Sequence, residues 1–246
     1  MAALLASLCE RFVSCLVQQL LEKINRMREV AGLTLSRLLA HPQLPKVAHH
    51  AQLAALLTRA MGKERAGGEC GEDGEAAEAE EEDGPTPLHA NVFLSSELCF
   101  PAFVPLLSLP PYRMHALRGL CVCVGGVTES TMKASAAALR LHVSGLDTCA
   151  LQPFCNDLKR LLEEGVSTPR LTLPTMRTLL CLLESGLLVP LLSPGEGEEC
   201  AGEGGSSLTS ELCGVIRPVM TTARDVAAIC SALNLQARSE GEGGAR

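Results

Sequence analysis

The stretch YRMHALRGLCVCVGGVTEST, residues 112–131, constrains the fold more than any other part of the chain, because it reads as one helix, a glycine stop and the start of a second helix. Pro110 and Pro111 suit a helix entrance, where the fixed φ and missing N–H of proline do no harm. Met114, Leu117, Cys121 and Val124 then share one face. Gly125 and Gly126 are expected to end this helix, since glycine just past a helix takes positive φ at little cost. Thr128 stands where its hydroxyl can cap the next helix, and Glu129 where it favours the positive end of the macrodipole. Val127 and Met132 occupy the two positions of a hydrophobic staple. An antiparallel helix pair is predicted.

The same signal recurs along the chain. Leu5, Leu8, Phe12 and Leu16 begin a first helix, and Met27, Ala31, Leu35 and Leu38 mark its partner, with Asn25 near the junction. Met132, Ala136, Leu139 and Val143 continue the second pair. Leu151, Phe154, Leu158 and Leu161 form a third stripe closed by Gly165; Pro174 is expected to start its partner helix, with Met176, Leu180 and Leu183 on it and Gly186 at its end. A fourth pair runs through Leu208, Leu212 and Val215, then Val226, Ile229 and Leu233, with a break or kink at Pro218. Pro101, Pro105, Pro110 and Pro111 predict an extended or irregular path over 99–111. Aromatic residues make up only 2% of the chain and Trp is absent, so aliphatic side chains must fill the interfaces, and no alternating run marks a sheet. The expected class is all-α. Helix pairs of about 40 residues, with Met27-Arg28 before Ala31 and Met132-Lys133 before Ala136, look like HEAT or armadillo repeats, although pattern alone also admits a compact bundle.

The net charge of −7 is misleading. Glu69 to Asp83 holds nine acids and no base, and Pro194 to Gly205 holds four more. The remainder has 21 basic residues against 15 acidic ones, so the helical part is mildly basic. Such a surface can steer an acidic partner, although scattered Arg on solvated helix faces explains the same count. Residues 63–87 are rich in Glu, Gly and Ala and cannot bury enough apolar surface to offset the entropy of ordering. The expected divisions are therefore a helix pair at 1–62, an acidic disordered insertion at 63–87, a helical-repeat region at 88–235 and a flexible tail at 236–246. Pro194 to Ser207 has the character of a second insertion.

Several kinds of chemistry find little footing. Twelve cysteines lie inside apolar runs, and Cys155, Cys181 and Cys230 take helical core positions, which suits reduced thiols in the cytosol. Cys121 and Cys123, two apart on a helix, point about 200° away from each other and cannot chelate one ion without unwinding. His41, His49 and His50 stand near prolines with no carboxylate or thiol at a metal spacing. The Gly-Gly run follows a helix and lacks the Lys-Ser/Thr of a phosphate loop, and no serine has a nucleophile setting. No basic cluster interleaves with aromatics, so nucleic acid is not an expected partner. No apolar run is expected to reach the length needed to cross a bilayer, and MAALLASL lacks a basic leader before Glu10 and Arg11.

The segment YRMHALRGLCVCVGGVTESTMKASAAALRLHV is similar to part of the C-terminal domain of the tubulin-folding cofactor D family, in which Tyr-x-x-His-x-Leu-x-Gly-Leu leads into Val-Gly-Gly-hydrophobic-Thr-Glu-Ser-Thr. Residues 9–32, CERFVSCLVQQLLEKINRMREVAG, resemble the family's segment with Cys-Glu-Arg, a Gln-Gln pair and Glu-Lys-Ile in that order. The residues that carry the first match are Tyr112, His115, Leu117, Gly119, Leu120, Val124, Gly125, Gly126, Thr128, Glu129, Ser130 and Thr131, each either structural or partner-facing. The resemblance favours a HEAT/armadillo-like solenoid of about four helix pairs. It implies a chaperone without catalytic residues, cofactor or metal, which captures β-tubulin after release from the chaperonin. It further implies assembly of the αβ heterodimer with cofactors C and E, promotion of GTP hydrolysis by tubulin, and an ADP-ribosylation-factor-like small GTPase as another partner. The implied location is the cytoplasm and cytoskeleton, with the centrosome and cell junctions also indicated. Members of the family are several times longer, so this chain is expected to be a C-terminal portion. The alternatives are a helical-repeat scaffold for some other protein and a thiol or metal enzyme built on the cysteines.

Overall fold

A computed structural model of the chain describes residues 2–62, 91–126, 128–165, 168–188 and 214, and every regular element among them is helical. The elements are α1 (Ala2–Leu20), α2 (Asn25–Ala40), α3 (His50–Gly62), α4 (Asn91–Leu94), α5 (Ser96–Phe103), a 3-10 turn (Val104–Ser108), α6 (Pro110–Val124), α7 (Glu129–Ser144), α8 (Thr148–Gly165) and α9 (Pro169–Glu184). The expected fourth pair and both acidic segments lie outside the described residues, as do the tail at 236–246 and Val127 of the proposed staple.

Helix pairs stack into an all-α repeat architecture. In one row α1 packs on α6 and α6 on α9; in the other, α2 meets α4, and α5 meets α7. The hairpins α1–α2, α6–α7 and α8–α9 close each layer. The third pair enters in reversed order, because its second helix, α9, is the main neighbour of α6. Helix α6 is therefore covered on almost every side, and Tyr112, Ala116, Leu117, Leu120, Cys121, Cys123 and Val124 are all buried. Met114, expected on its inward face, is only half-buried.

The third stripe is as expected: Leu151, Phe154, Leu158 and Leu161 are all buried. In α7 Leu139 and Val143 are buried, but Thr131, Ser135 and Ala138 take the remaining inward positions in place of Met132 and Ala136. The first pair departs further. Helix α1 has two apolar stripes, and the inward one is Cys9, Val13, Leu16 and Leu20, so Leu5, Leu8 and Phe12 face outward. Met27 of α2 is likewise exposed. Residues 1–62 also hold a third helix, α3, which buries Leu53, Leu57 and Ala60 at helical spacing. By length and composition Ala3–Leu20 is apolar enough to cross a membrane, contrary to the expectation above. Its inward stripe is nevertheless spent on α2 and α6.

Prolines mislead at two places. Residues 99–103 continue α5, with Pro101 inside it, and Pro105 opens the 3-10 turn. Burial of Cys99, Phe100 and Phe103 favours the helix despite the missing N–H. Helix α9 begins at Pro169 rather than Pro174, which sits within it. There the hydroxyls of Thr175 and Thr178 donate to the carbonyls of Leu171 and Pro174 at 2.8 and 2.9 Å. At its far end Gly186 has φ +69° and donates to Leu183 O, while Leu187 donates to Leu182 O, a Schellman closure.

Candidate functional site

The motif residues of 112–131 divide by what they touch. Tyr112 stands at the start of α6, buried, with its hydroxyl donating to Ala48 O at 2.8 Å and to Glu10 Oε2 at 3.1 Å. The other Glu10 oxygen accepts the Ala48 N–H. One side chain thus ties α6 to α1 and to the loop before α3. Burial and the adjacent Glu10 carboxylate push the Tyr112 phenol well above its usual pKa. Leu117 and Leu120 are fully buried.

Gly119 and Gly125 are required by close approach. A Cβ on Gly119 would lie 2.4 Å from Gln18 O, and one on Gly125 would lie 2.4 Å from Pro174 Cα. Gly125 has φ −85°, and Gly126 is not among the residues with positive φ, so the expected left-handed stop does not form. The crossing of α9 explains the glycine: Pro174 fills the space, and Arg177 Nη1 donates to Gly125 O at 3.0 Å.

The cysteines flank α6 in opposite directions. Cys123 Sγ donates to Leu21 O at 3.1 Å, whereas Cys121 faces Thr175 and Thr178 of α9. Burial pushes the Cys121 thiol up to about 12 and raises Cys123 as well. These are packed, unreactive thiols. No group of three His, Cys, Asp or Glu able to hold a metal occurs among the described residues.

His115 is half-buried between Arg118 and Glu164; burial and Arg118 lower its pKa, and Glu164 partly opposes them. Arg118 forms an ion pair with Glu164, and Arg113 with Asp157, so both fasten α6 to α8. The second half of the motif is different. Thr128 takes the N-cap position of α7 with extended backbone, and its carbonyl accepts from Met132 at 3.0 Å, but its hydroxyl makes no capping bond. Thr128, Glu129 and Ser130 are exposed, and Glu129 makes only a solvent-facing pair with Lys133 at 2.6 Å. With Glu97 of α5, Glu129 and Ser130 line an open recess between α5 and α7. Thr131 turns inward, its hydroxyl 3.3 Å from Ser96 Oγ.

Sequence reasoning missed the residue on which that last contact depends. Arg28 is fully buried, the largest such side chain among the described residues. Its Nε donates to Phe93 O at 2.9 Å, Nη1 to Glu22 O at 2.9 Å, and Nη2 to Asn25 Oδ1 at 2.9 Å and Ser96 Oγ at 3.2 Å. The guanidinium also lies 5.3 Å from the centre of the Phe100 ring. It satisfies the backbone where α1, α2, α4 and α5 converge. Only its repeat-like setting before Ala31 hinted at this.

A family model described as Tubulin folding cofactor D C terminal matches residues 10–202. No solved structure matches the chain.

Proposed function

This chain belongs to the tubulin folding cofactor D C-terminal family, and we propose that it is a non-catalytic chaperone scaffold acting on tubulin. In this reading it holds β-tubulin after chaperonin release, works with cofactors C and E to assemble the αβ heterodimer, and promotes GTP hydrolysis on tubulin. An ADP-ribosylation-factor-like GTPase is a further proposed partner, and the cytoplasm and cytoskeleton, with the centrosome and cell junctions, are the proposed locations. The helices supply rigid surface rather than chemistry. The family match over residues 10–202 carries the reading.

Within the motif, we assign the buried residues Tyr112, Leu117, Gly119, Leu120 and Val124, and the half-buried Gly125 against Pro174, to packing. The exposed Thr128, Glu129 and Ser130 are the proposed partner contacts, because among the described residues their side chains form no hydrogen bond or ion pair beyond the exposed Glu129–Lys133 pair. Immobilised chain would be offered chaperonin-released β-tubulin, with and without cofactor E. Retention of either protein, reduced roughly tenfold by Glu129→Lys with Ser130→Arg, is the expected result; about 1.4 kcal/mol corresponds to that factor. No retention of tubulin or any cofactor would overturn the functional reading. Equal retention by the variant would overturn only the motif assignment.

A further inference from the structure

The start of α7 is held differently from the rest of the helix. From Ala138 onward its inward positions are apolar, with Ala138, Leu139 and Val143 buried, whereas the buried positions before them are Thr131 and Ser135. Ser135 Oγ donates to Met132 O at 3.2 Å, within the helix itself. The N-cap adds no anchor, since the Thr128 hydroxyl makes no capping bond and the Glu129–Lys133 pair is exposed. Among the described residues, the side-chain hydrogen bond that joins this start to another helix is the one between Thr131 Oγ1 and Ser96 Oγ of α5, 3.3 Å apart.

Arg28 decides which of the two hydroxyls donates. A guanidinium carries donors and no acceptor, so Arg28 Nη2 donates to Ser96 Oγ at 3.2 Å and occupies one of its lone pairs. Arg28 Nε donates to Phe93 O at 2.9 Å and Nη2 reaches Leu94 O at 3.4 Å, so the approach to α5 is fastened to α2 as well. The hydrogen of the Ser96 hydroxyl is thereby left for Thr131 Oγ1. The neighbours of this buried pair face outward: Glu97 follows Ser96, Ser130 precedes Thr131, and Glu97, Glu129 and Ser130 line the recess between the two helices.

We infer that Ser96 is a positioning residue for the motif, a role that rests on the assignment of Thr128, Glu129 and Ser130 to partner contact. Oriented by Arg28, the Ser96 hydroxyl sets the first turn of α7 and with it the direction in which those three side chains are presented. A change at the turn between α1 and α2 therefore reaches the motif without touching it.

The test compares Ser96→Ala and Thr131→Val, which each delete one hydroxyl, with Ser96→Thr and Thr131→Ser, which keep it. Amide relaxation order parameters are measured on the whole chain without partner. At Glu129 to Met132 they should fall from the rigid range of about 0.85 toward about 0.6 in the two deletions, and stay rigid in the two conservative variants. At Leu139 to Val143 they should stay rigid in all four. The double deletion should match either single one, because the hydroxyls act as one pair. Retention of chaperonin-released β-tubulin should weaken about fivefold with the deletions, since the loosened turn must then be ordered on binding, and recover with the conservative variants. Order parameters unmoved by either deletion, or lowered equally along the whole of α7, would overturn the inference, as would retention indifferent to the variants while the parent chain retains tubulin. A parent chain that retains no tubulin refutes the functional reading instead, and the order parameters then still decide whether Ser96 fixes the turn.

Discussion

Gly119 of α6 passes so close to Gln18 of α1 that a Cβ on the glycine would stand 2.4 Å from the Gln18 carbonyl oxygen. That contact sets the distance between α1 and α6, neighbours in one row, and backbone rather than a movable side chain blocks the space.

Gly119→Ala should therefore destabilise the protein although alanine is the better helix former. Overpacking costs about 1–3 kcal/mol, against a propensity gain of about 1 kcal/mol. Gly62→Ala provides the contrast, since nothing lies within 4 Å of a Cβ there. Urea unfolding should show a lower midpoint for the first and an unchanged or higher one for the second.

Arg28→Met should be among the most damaging single changes in the first helix pair. It removes the donors of Phe93 O, Glu22 O and Asn25 Oδ1 at once and leaves buried acceptors unsatisfied. A loss of about 3–5 kcal/mol is expected. Arg28→Lys should rescue little, because a single ammonium cannot reproduce the guanidinium fork. A Lys variant as stable as the parent in chemical unfolding would show that charge, not the fork, matters.

Tyr112→Phe keeps the ring and deletes the hydroxyl that reaches Ala48 O and Glu10. The expected loss is about 1–2 kcal/mol. Hydrogen exchange should rise in the loop before α3 more than in α6. Uniform exchange across both would refute the cross-link.

Alkaline pH should destabilise the fold from about pH 9 upward. Cys99, Cys121 and Cys155 have thiols raised by burial from near 9 to about 12, and the Tyr112 phenol is raised as well. Above pH 9 the unfolded chain releases these protons while the folded chain holds them. The stabilisation is thus complete below the unfolded values and is lost as pH rises through the folded ones, with a slope approaching 1.4 kcal/mol per pH unit for each group. Cys121→Val should reduce that slope; an identical profile would show that the thiol is ionised in the folded state too.

Periodicity made the helices legible wherever one apolar face dominates. Leu151, Phe154, Leu158 and Leu161 are the clearest case, all inward as expected. It was ambiguous in α1, where two stripes a quarter-turn apart compete and only the position of Tyr112, 102 residues away from Glu10, decides between them. Proline was overweighted: Pro101 and Pro174 lie inside helices whose burial outweighs one lost hydrogen bond. Gly125 does close α6 as expected, but without positive φ; its second role, making room for Pro174, depends on a residue far along the chain and is not visible in the local sequence. In the motif, the antiparallel pair was readable, but the division between packed and exposed residues needed the neighbours of each side chain.

Enclosure of α6 has a consequence for how the molecule comes apart. Arrays whose units meet only the next unit can fray from either end, one unit at a time. Here a single helix is wall to both α1 and α9, so peeling away α9 uncovers Cys121 and opens the seat of Pro174 against Gly125 in one event. The stack should therefore unzip inward only as far as α6 and then give way as a whole, with the slowest-exchanging amides of the chain in Leu117 to Val124.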